Sequence, residues 1–594
     1  MFLLRTQFAA SISRPRSYLR LCSQCQRKFF PRNRAFSTLP DIPIFKALQS
    51  HDPARLAIVH SKSNRSFTYG SLVADVLQSK ERLAEKQPAG LSGQRVAFLA
   101  ENSYDYVVML LSILASDAIA VPLSPAFPVP ELQYVIDHSS PSVLLSTERF
   151  ADKAREIYSA GLQAEPLLDV RSKISAGSSS TNPVSLTSLH EPQGGLMLYT
   201  SGTTNRPKGV LIPQSALTAQ SLSLIEAWKY SPRDHLLHLL PLHHIHGVVN
   251  ALLTPLIAGS AIEFMFPFNP EATWRRLAAP FLPEGSNRSV ITFLTAVPTI
   301  WSRLLGSFPD LPSDVQTAAK QAISPANLRL NISGSAALPA PTKKAWEELS
   351  GGNVLLERFG MTEVGMAISC GLDFRDRVDG SVGWPLPHVE ARLWDYEKNE
   401  VIRPGEEVDE NGRERVGEIQ LRGPTIFKEY FRNEAATEEA FVDDNDGKGR
   451  WFRTGDDAVR RPVPGSGQGS SGDWAQGPMY FIQGRRSVDI IKIGGEKVSA
   501  LEVERELLSL PEIIEAAVVG LPSEQWGQRV AAVVVLDRTR VGPSWGIMDL
   551  RRALKGRLAM SKIPTKVKVL EKIPRNAMGK VNKKMLVKEV FGGS

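Results

Sequence analysis

Residues 199–210 read Tyr-Thr-Ser-Gly-Thr-Thr-Asn-Arg-Pro-Lys-Gly-Val, directly after a short apolar run. The stretch combines hydroxyl groups, glycines and the cation of Lys208. Glycine lets a backbone approach a ligand closely, hydroxyls donate hydrogen bonds, and an ammonium supplies compact positive charge. It is not a Walker A sequence, because Lys208 is followed by Gly209 instead of Ser or Thr. We therefore expect a loop around the phosphates of a nucleotide rather than an ordinary polar turn, with these ligands: Thr200, Ser201, Gly202, Thr203, Thr204 and Lys208.

The size and composition of the chain set its general class. With 594 residues it is too long for one ordinary hydrophobic core, so two or more domains are expected. Its 42% hydrophobic and 22% charged residues are typical of a globular protein. The longest nearly unbroken apolar stretch, residues 107–115, is much shorter than the roughly 20 residues that cross a bilayer. The sequence therefore predicts no membrane span.

The formal net charge of +8 is concentrated at the N-terminus. Residues 1–40 hold eight Lys and Arg residues and no acid, which leaves 62 basic against 62 acidic residues in the rest of the chain. Because the rest is formally neutral, nucleic acid is not expected as a partner. An Arg-rich, Ser-containing segment without acids is typical of a mitochondrial transit peptide, and a disordered basic tail is the alternative. We expect residues 1–36 to be this peptide and the protein to act in the mitochondrial matrix.

Short apolar runs alternate with longer amphipathic ones after about residue 95. The alternation predicts strand, helix, strand, helix and strand, in that order, at 95–99, 104–114, 118–123, 130–137 and 142–145. We expect an α/β fold whose large N-terminal domain, residues 41–484, holds helix-covered, mostly parallel sheets. A small α+β domain is expected over residues 485–594, with a helix at 500–508. Residues 462–477 are rich in glycine and serine, so they are expected to be a disordered surface insertion.

Four further polar residues have chemistry that suits a nucleotide site. Thr362 and Glu363 follow an apolar run by a short turn, and a carboxylate beside a phosphate loop is a suitable oxygen ligand for Mg²⁺. Asp456 follows Thr-Gly in an expected turn, where an exposed carboxylate can accept hydrogen bonds from both ribose hydroxyls. Arg485, at the expected domain junction, is a candidate for the same ribose or the α-phosphate. A solvated surface charge is the alternative for Glu363, and a turn cap is the alternative for Asp456.

Five motifs occur in the order that is characteristic of one enzyme superfamily: the loop at 199–210, Arg-Phe-Gly-Met-Thr-Glu at 358–363, Phe-Arg-Thr-Gly-Asp at 452–456, Gly-Arg at 484–485 and Pro-Arg-Asn-Ala-Met-Gly-Lys at 574–580. Over residues 45–590 the chain resembles the adenylate-forming (ANL) superfamily of acyl-CoA synthetases, luciferases and peptide-synthetase adenylation domains. The resemblance implies an AMP-forming ligase with ATP and CoA as co-substrates and Mg²⁺ as cofactor. It also implies that Phe359 and Gly360 belong to the nucleotide site; Phe359 would stack on adenine, with simple burial as the alternative.

The resemblance also assigns roles in catalysis and in domain motion. Lys580 is expected to stabilise the negative charge that develops as a carboxylate attacks the α-phosphate, and Thr362 and Glu363 are expected to assist. Asp489 matches the hinge about which the small domain of this superfamily rotates between half-reactions. The loop that follows would then leave room for the pantetheine arm of CoA through two glycines, Gly494 and Gly495.

The acid to be activated is indicated by polar groups where a fatty-acyl enzyme would be apolar. Residues 240–247 contain three histidines, but no cysteine or acid lies nearby to complete a zinc site. Arg303 follows an apolar run and Ser335 lies in an expected turn, and a guanidinium with a hydroxyl suits a second carboxylate. These segments are most similar to the malonyl-CoA synthetases of the superfamily. That similarity implies that Arg303 and Ser335 contact the distal carboxylate and that His246 lies by the acyl site.

The sequence thus predicts an acid–thiol ligase for malonate. ATP and malonate would give malonyl-adenylate and pyrophosphate, and CoA would then displace AMP; methylmalonate, with one more methyl group, is expected as a second substrate. A medium-chain or aryl acyl-CoA synthetase is the nearest alternative. A non-catalytic protein that binds nucleotide or acyl-CoA is a second alternative, but it would have no need for the whole set of Thr362, Glu363, Asp456 and Lys580.

Overall fold

The computed structural model describes residues 38–175, 177, 184–200, 206–444, 446–493, 496–575 and 581–592. These residues form five β-sheets and the helices that cover them. Within the described ranges, no helix has both the length and the apolar character that a bilayer crossing requires.

The strands of the described residues are numbered in chain order. The first ten are β1 (Thr38–Pro40), β2 (Leu56–His60), β3 (Ser66–Thr68), β4 (Arg95–Leu99), β5 (Ile119–Leu123), β6 (Val143–Thr147), β7 (Leu167–Arg171), β8 (Ser185–Thr187), β9 (Gly195–Thr200) and β10 (Lys208–Pro213). The next ten are β11 (His235–His238), β12 (Ala261–Phe264), β13 (Phe293–Ala296), β14 (Leu330–Ser333), β15 (Leu356–Met361), β16 (Gly365–Ser369), β17 (Trp384–Pro385), β18 (Glu390–Asp395), β19 (Glu400–Ile402) and β20 (Gly417–Arg422). The last nine are β21 (Glu429–Tyr430), β22 (Phe441–Val442), β23 (Trp451–Arg461), β24 (Met479–Arg485), β25 (Ile490–Ile493), β26 (Glu496–Ser499), β27 (Ile513–Ser523), β28 (Gly527–Leu536) and β29 (Lys566–Val569).

The α-helices of the same residues are short to medium in length. In chain order they are α1 (Pro43–Ser50), α2 (Tyr69–Lys86), α3 (Tyr104–Ala115), α4 (Val129–Ser139), α5 (Ala151–Ser159), α6 (Gln214–Trp228), α7 (Thr254–Ala258) and α8 (Pro270–Ala278). They continue with α9 (Pro298–Ser307), α10 (Ser313–Ile323), α11 (Ala340–Ser350), α12 (Glu434–Ala440), α13 (Ala500–Leu508), α14 (Ile547–Leu554) and α15 (Lys583–Leu586).

A seven-stranded sheet holds the predicted strand–helix alternation. Its strand order is β21-β10-β9-β5-β4-β6-β7, and the strands from β9 to β7 are parallel. Strands β4, β5 and β6 are buried almost throughout, as expected for a parallel sheet covered on both faces. Helix α3 is buried along its whole length, and the Ser103 hydroxyl caps its start by accepting from the Tyr106 amide. The alternation predicted between residues 95 and 145 is confirmed.

A nine-stranded sheet has the strand order β17-β16-β15-β14-β13-β11-β12-β2-β3. Its central strands, from β15 to β2, are parallel. A six-stranded antiparallel sheet follows, built mainly on β18, β20 and β23 with β24 added to β23. Large, helix-covered, mostly parallel sheets confirm the predicted fold class for this part of the chain.

The C-terminal part has a five-stranded sheet in which β25, β26, β27 and β28 are antiparallel and β29 runs parallel to β28. Its apolar clusters run from Ile491 to Ile563 and from Ala517 to Phe591, whereas the main cluster of the chain ends at Tyr480. Helix α13 has the predicted bounds. The small α+β unit is therefore present, and the exact boundaries 41–484 and 485–594 stay predictions.

The prediction of disorder for residues 462–477 is wrong. Gly467 and Ser471 donate hydrogen bonds to the buried Asp376 carboxylate at 2.8 and 2.6 Å, and the Trp384 indole donates to the Gly477 carbonyl at 2.8 Å. Ala475 is 1% exposed and packs in an apolar cluster with Trp384. Few apolar residues suffice here because a distant carboxylate satisfies the backbone and hydroxyl donors of the segment.

Candidate active site

The carboxyl ends of neighbouring parallel strands bring one set of polar side chains together. Thr295 lies near the end of β13, Ser335 follows β14, and Arg358 lies on β15. These three strands are direct neighbours, paired at Thr295↔Ile332 and Ser333↔Glu357. In open α/β sheets the carboxyl edge is where ligands bind. The arrangement defines a candidate acyl site at this edge.

His246 joins the cluster from the π-helical segment His246–Leu253, a geometry that is frequent at functional sites. Its Nε2 lies 2.7 Å from the Thr295 hydroxyl, and its Nδ1 lies 3.3 Å from the Ser335 hydroxyl. Burial, and then the charge of Arg358, hold the pKa of His246 well below its usual value. The imidazole is therefore neutral, and it orients the two hydroxyls.

Arg358 is the residue of this cluster that the sequence did not single out. It is 5% exposed, and its Nη2 donates to the Ser335 hydroxyl at 3.3 Å. Its Nε is buried without a hydrogen-bond partner, and no carboxylate of the described residues pairs with its guanidinium. Burial lowers its pKa to about 10, which leaves it charged at neutral pH. A buried guanidinium without an acid is an unsatisfied anion site.

Ser335 and the glycine before it shape the same site. Ser335 adopts a left-handed backbone conformation, with φ of 69°, and this sparsely populated geometry turns its hydroxyl toward His246 and Arg358. A Cβ at Gly334 would lie 2.4 Å from the Arg358 Nε. Glycine at that position therefore makes room for the guanidinium.

Arg303, the other predicted partner of the distal carboxylate, has a different environment. It lies on α9, it is exposed, and its guanidinium lies 4.8 Å from the centre of the Phe268 ring. The described contacts join His246, Ser335 and Arg358, and they do not include Arg303. A role for Arg303 in substrate binding stays a prediction, and it would require the side chain to leave Phe268.

The predicted phosphate loop connects two antiparallel strands. Thr200 ends β9, Lys208 begins β10, and the two residues are directly paired. The Lys208 ammonium lies 4.6 Å from the centre of the Tyr430 ring, on β21, the next strand of the same sheet. The Tyr430 hydroxyl in turn donates to the Glu363 carboxylate at 2.9 Å. The fold thus places the predicted metal ligand Glu363 next to the end of the phosphate loop.

The surroundings of Glu363 are compatible with Mg²⁺. Burial, and then the charge of Glu363, raise the pKa of Tyr430, so its phenol stays protonated. The phenol can therefore donate its hydrogen bond to the Glu363 carboxylate. Among the described residues there is no group of three or more His, Cys, Asp or Glu side chains that could hold a metal. Mg²⁺ does not need one, since it is held by one or two carboxylates together with substrate phosphates and water.

The motif before Glu363 forms a tight hairpin between β15 and β16. Thr362 and Glu363 are half-buried in its turn, and Phe359 is half-buried on β15. A Cβ at Gly360 would lie 2.0 Å from the Gly365 carbonyl oxygen, so only glycine fits this crossing of the strands. The hairpin therefore presents Phe359, Thr362 and Glu363 from one short, closely packed segment.

Asp456 lies in β23 and is 8% exposed, so the expectation of an exposed turn residue is wrong. It is paired across the sheet with Arg485, the last residue of β24, whose Nε lies 3.5 Å from the Asp456 Oδ1. Burial raises the pKa of Asp456 to about 6, and Asp489 adds to the rise while Arg485 opposes it. The structure thus brings Asp456, Arg485 and the predicted hinge residue Asp489 together.

Several predicted site residues fall outside the described residues, and their roles stay predictions. They are Ser201, Gly202, Thr203 and Thr204 of the phosphate loop, Gly494 and Gly495 of the expected CoA loop, and Lys580. The expected transit peptide, residues 1–36, also lies outside.

Mostly parallel sheets, a predicted phosphate loop between β9 and β10, and the predicted Mg²⁺ ligand Glu363 beside it are the features expected of an enzyme that activates acids with ATP. Residues 45–431 match the family model described as AMP-binding enzyme, and residues 502–580 match the model of its C-terminal domain. The chain therefore belongs to the AMP-binding enzyme family, as one of its ATP-dependent, AMP-forming CoA ligases.

Similar proteins support this assignment along nearly the whole chain. A protein of Gibberella moniliformis described as a CoA ligase is 56% identical, over 92% of this chain and 94% of that protein. The mitochondrial malonate–CoA ligase of Homo sapiens is 37% identical, over 92% of each chain. The crystal structure of ATP-bound MatB from Rhodopseudomonas palustris matches with a TM-score of 0.74 and 30% identity, over 92% of this chain and 99% of that chain.

Proposed function

We propose that this CoA ligase acts on malonate, and on methylmalonate as a second substrate. The observation that carries the proposal is the buried Arg358 guanidinium, which has no acid partner among the described residues and faces the hydroxyl of Ser335. A monocarboxylic acid would leave this charge buried and unpaired, at a cost of several kcal/mol. A short dicarboxylate would place its second carboxylate there, with the neutral His246 holding the hydroxyls in position.

In the first half-reaction the triphosphate would lie in the loop at 199–210 and the ribose hydroxyls would donate to Asp456. Glu363 would hold Mg²⁺, which, when bound, reduces the negative charge on the phosphate oxygens. The reacting carboxylate of malonate would attack the α-phosphate, the bond to the β-phosphate would break, and pyrophosphate would leave. Lys580 would stabilise the negative charge that develops on the α-phosphate oxygens in the transition state, an effect typically worth about 3–4 kcal/mol.

In the second half-reaction the small domain would turn about Asp489, and the glycines Gly494 and Gly495 would admit the pantetheine arm. The thiolate of CoA would attack the carbonyl carbon of the adenylate, and AMP would leave with its phosphate oxygen. Since the two half-reactions share one acyl site, Arg358 would hold the distal carboxylate through both. The same group would therefore set specificity in adenylation and in thioester formation.

Two of the relatives bear on the choice of acid and of compartment. The human relative is described as a mitochondrial malonate–CoA ligase, while the fungal relative is described as a CoA ligase without a named acid. We infer that the basic residues 1–36 form a mitochondrial transit peptide and that the enzyme acts in the matrix. One added methyl group is worth only about 1–3 kcal/mol of discrimination, which supports methylmalonate as a second substrate.

Identification of the products tests the proposal. Purified protein with ATP, MgCl₂, CoA and malonate should yield malonyl-CoA by mass spectrometry, together with equal amounts of AMP and pyrophosphate. Formation of octanoyl-CoA with no malonyl-CoA would favour a medium-chain ligase instead. Binding of nucleotide without release of pyrophosphate for any acid would favour a non-catalytic protein.

A further inference from the structure

A largely buried ion-pair cluster lies beside the predicted hinge, outside the groups proposed to contact nucleotide or acid. The Lys583 ammonium lies 2.5 Å from the Asp489 Oδ1 and 2.7 Å from the Glu504 Oε1. The three side chains are only 12%, 13% and 15% exposed, in the order Lys583, Asp489, Glu504. Pairs this close and this well shielded from water are stronger than ordinary surface ion pairs.

The cluster ties together three separate segments. The other oxygen of Asp489, Oδ2, accepts from the Arg485 amide at 3.0 Å and closes the turn after β24. Glu504 lies on α13, and its Oε1 also accepts from the Val518 amide of β27 at 2.7 Å. Lys583 is the first residue of α15, after Asn582, whose side chain caps that helix. One ammonium therefore connects the hinge turn, the body of the small sheet and the C-terminal segment.

The charges show what each partner contributes. Burial alone would lower the pKa of Lys583, but Glu504 and Asp489 outweigh it and the pKa lies above its usual value. Burial raises the pKa of Glu504, and Lys583 opposes that rise while Asp489 adds to it. The two carboxylates thus repel each other, and Lys583 is the group that holds them together.

The position of Lys583 in the sequence gives the cluster a mechanistic meaning. Lys583 stands three residues after Lys580, and three residues of extended chain span at most about 10 Å. Anchoring Lys583 to Asp489 and Glu504 therefore limits how far the backbone at Lys580 can move from the hinge. Misplacement of a reacting or stabilising group by about 1 Å can cost about 10²-fold in rate.

We propose that Lys583 is a positioning residue for adenylate formation: through Asp489 and Glu504 it fixes the segment that carries Lys580 to the hinge. This inference rests on the proposed function, in which Lys580 acts in the first half-reaction. It assigns Lys583 no contact with substrate. Thioester formation, to which we assign Lys580 no role, is expected to depend much less on Lys583 than adenylation does.

The test compares the two half-reactions in the full-length protein carrying Lys583→Met. Adenylation is measured as malonate-dependent exchange of pyrophosphate into ATP. The second half-reaction is measured in reverse, as AMP-dependent release of CoA from malonyl-CoA without pyrophosphate. Exchange should fall about 10²-fold while the rate of CoA release changes little. Lys583→Arg should restore part of the exchange, and Lys584→Met, at the exposed neighbouring residue, should leave both rates unchanged.

Equal losses in both half-reactions, or an unchanged exchange rate, would overturn the proposal. If Lys583→Met unfolds because two buried carboxylates are left together, the double variant Lys583→Met/Glu504→Gln removes one charge; it should fold and still lack exchange. Restored exchange in that folded variant would also contradict the proposal. Failure of the proposed function would appear differently, as absence of malonate-dependent exchange in the unaltered protein.

Discussion

Replacing Arg358 by methionine removes the buried guanidinium while keeping a long apolar side chain of similar volume. In the structure this group is 5% exposed, its Nε has no hydrogen-bond partner, and its one described hydrogen bond goes to Ser335 at 3.3 Å. The substitution therefore breaks no ion pair among the described residues. Replacing a buried charge by a well-packed apolar side chain is often neutral or stabilising, so we expect an unchanged or higher Tm.

The effect on malonate should be large. Removing one partner of a buried, hydrogen-bonded charge pair typically costs about 2–5 kcal/mol, and a value of about 3 kcal/mol corresponds to a loss of about 10²-fold in kcat/KM. The loss should be specific to malonate, because octanoate is a monocarboxylic acid and has no second carboxylate that pairs with Arg358. With the positive charge gone, kcat/KM for octanoate should stay the same or rise.

The assay is steady-state AMP formation with malonate and with octanoate, beside thermal unfolding of the same samples. Arg303→Met is the matched comparison, since Arg303 is exposed and packs on Phe268 at 4.8 Å. Its effect on malonate should be smaller than that of Arg358→Met. A strong fall in Tm with equal losses for both acids would mean that Arg358 has a structural role. A larger loss of malonate activity for Arg303→Met than for Arg358→Met would mean that Arg303, as predicted from the sequence, binds the distal carboxylate.

Four further predictions follow from the site and the N-terminus. Burial raises the pKa of Asp456 to about 6, and only its ionised form accepts two ribose hydroxyls. The KM for ATP should therefore rise as the pH falls below 6. The variant Asp456→Asn should lack this rise in KM. Glu363→Gln should lower turnover about 100-fold at limiting Mg²⁺, with partial recovery at high Mg²⁺, and an unchanged Mg²⁺ dependence would exclude it as a ligand. Gly360→Ala should destabilise the fold by about 1–3 kcal/mol, because its Cβ would lie 2.0 Å from the Gly365 carbonyl oxygen; an unchanged Tm would contradict this packing. Residues 1–40 fused to a fluorescent reporter should direct it to mitochondria, and a cytosolic signal would remove that proposal.

The parts of the fold that could be predicted are those in which local pattern and tertiary environment agree. Strand β4 and helix α13 have the predicted bounds, and α3 extends one residue beyond its predicted end. Near-continuous apolar runs belong to strands buried on both faces, and the structure buries β4 and β5 in that way. Residues 462–477 could not be predicted in this way. Their order depends on the Asp376 carboxylate, which is far away in the sequence.

One residue of the candidate acyl site could not be predicted from the sequence, because its role depends on its surroundings in the fold. Ser335 stands out in the sequence as a hydroxyl in an expected turn, and His246 is singled out by the resemblance to malonyl-CoA synthetases. Arg358 belongs to the motif at 358–363, but the residues that follow it in the motif are assigned to nucleotide and Mg²⁺ binding. The motif therefore gives no reason to assign Arg358 to the acid. A strand alternates its faces, so Glu357 and Arg358 point to opposite sides of β15, and both are buried. Two adjacent charged residues in an apolar strand are the sequence signal that could have pointed to a buried charge. The structure is needed to show that, among the described residues, Arg358 has no acid partner.

The most direct test of the account is the relative kcat/KM of the unaltered protein for malonate, methylmalonate, succinate, acetate and octanoate, followed as AMP formation. The buried Arg358, whose Nε has no hydrogen-bond partner, predicts that malonate has the highest value and methylmalonate the next, with acetate and octanoate about 10²-fold or more below malonate. An octanoate or acetate value equal to or above that of malonate would contradict the assignment of the Arg358 site to a second carboxylate.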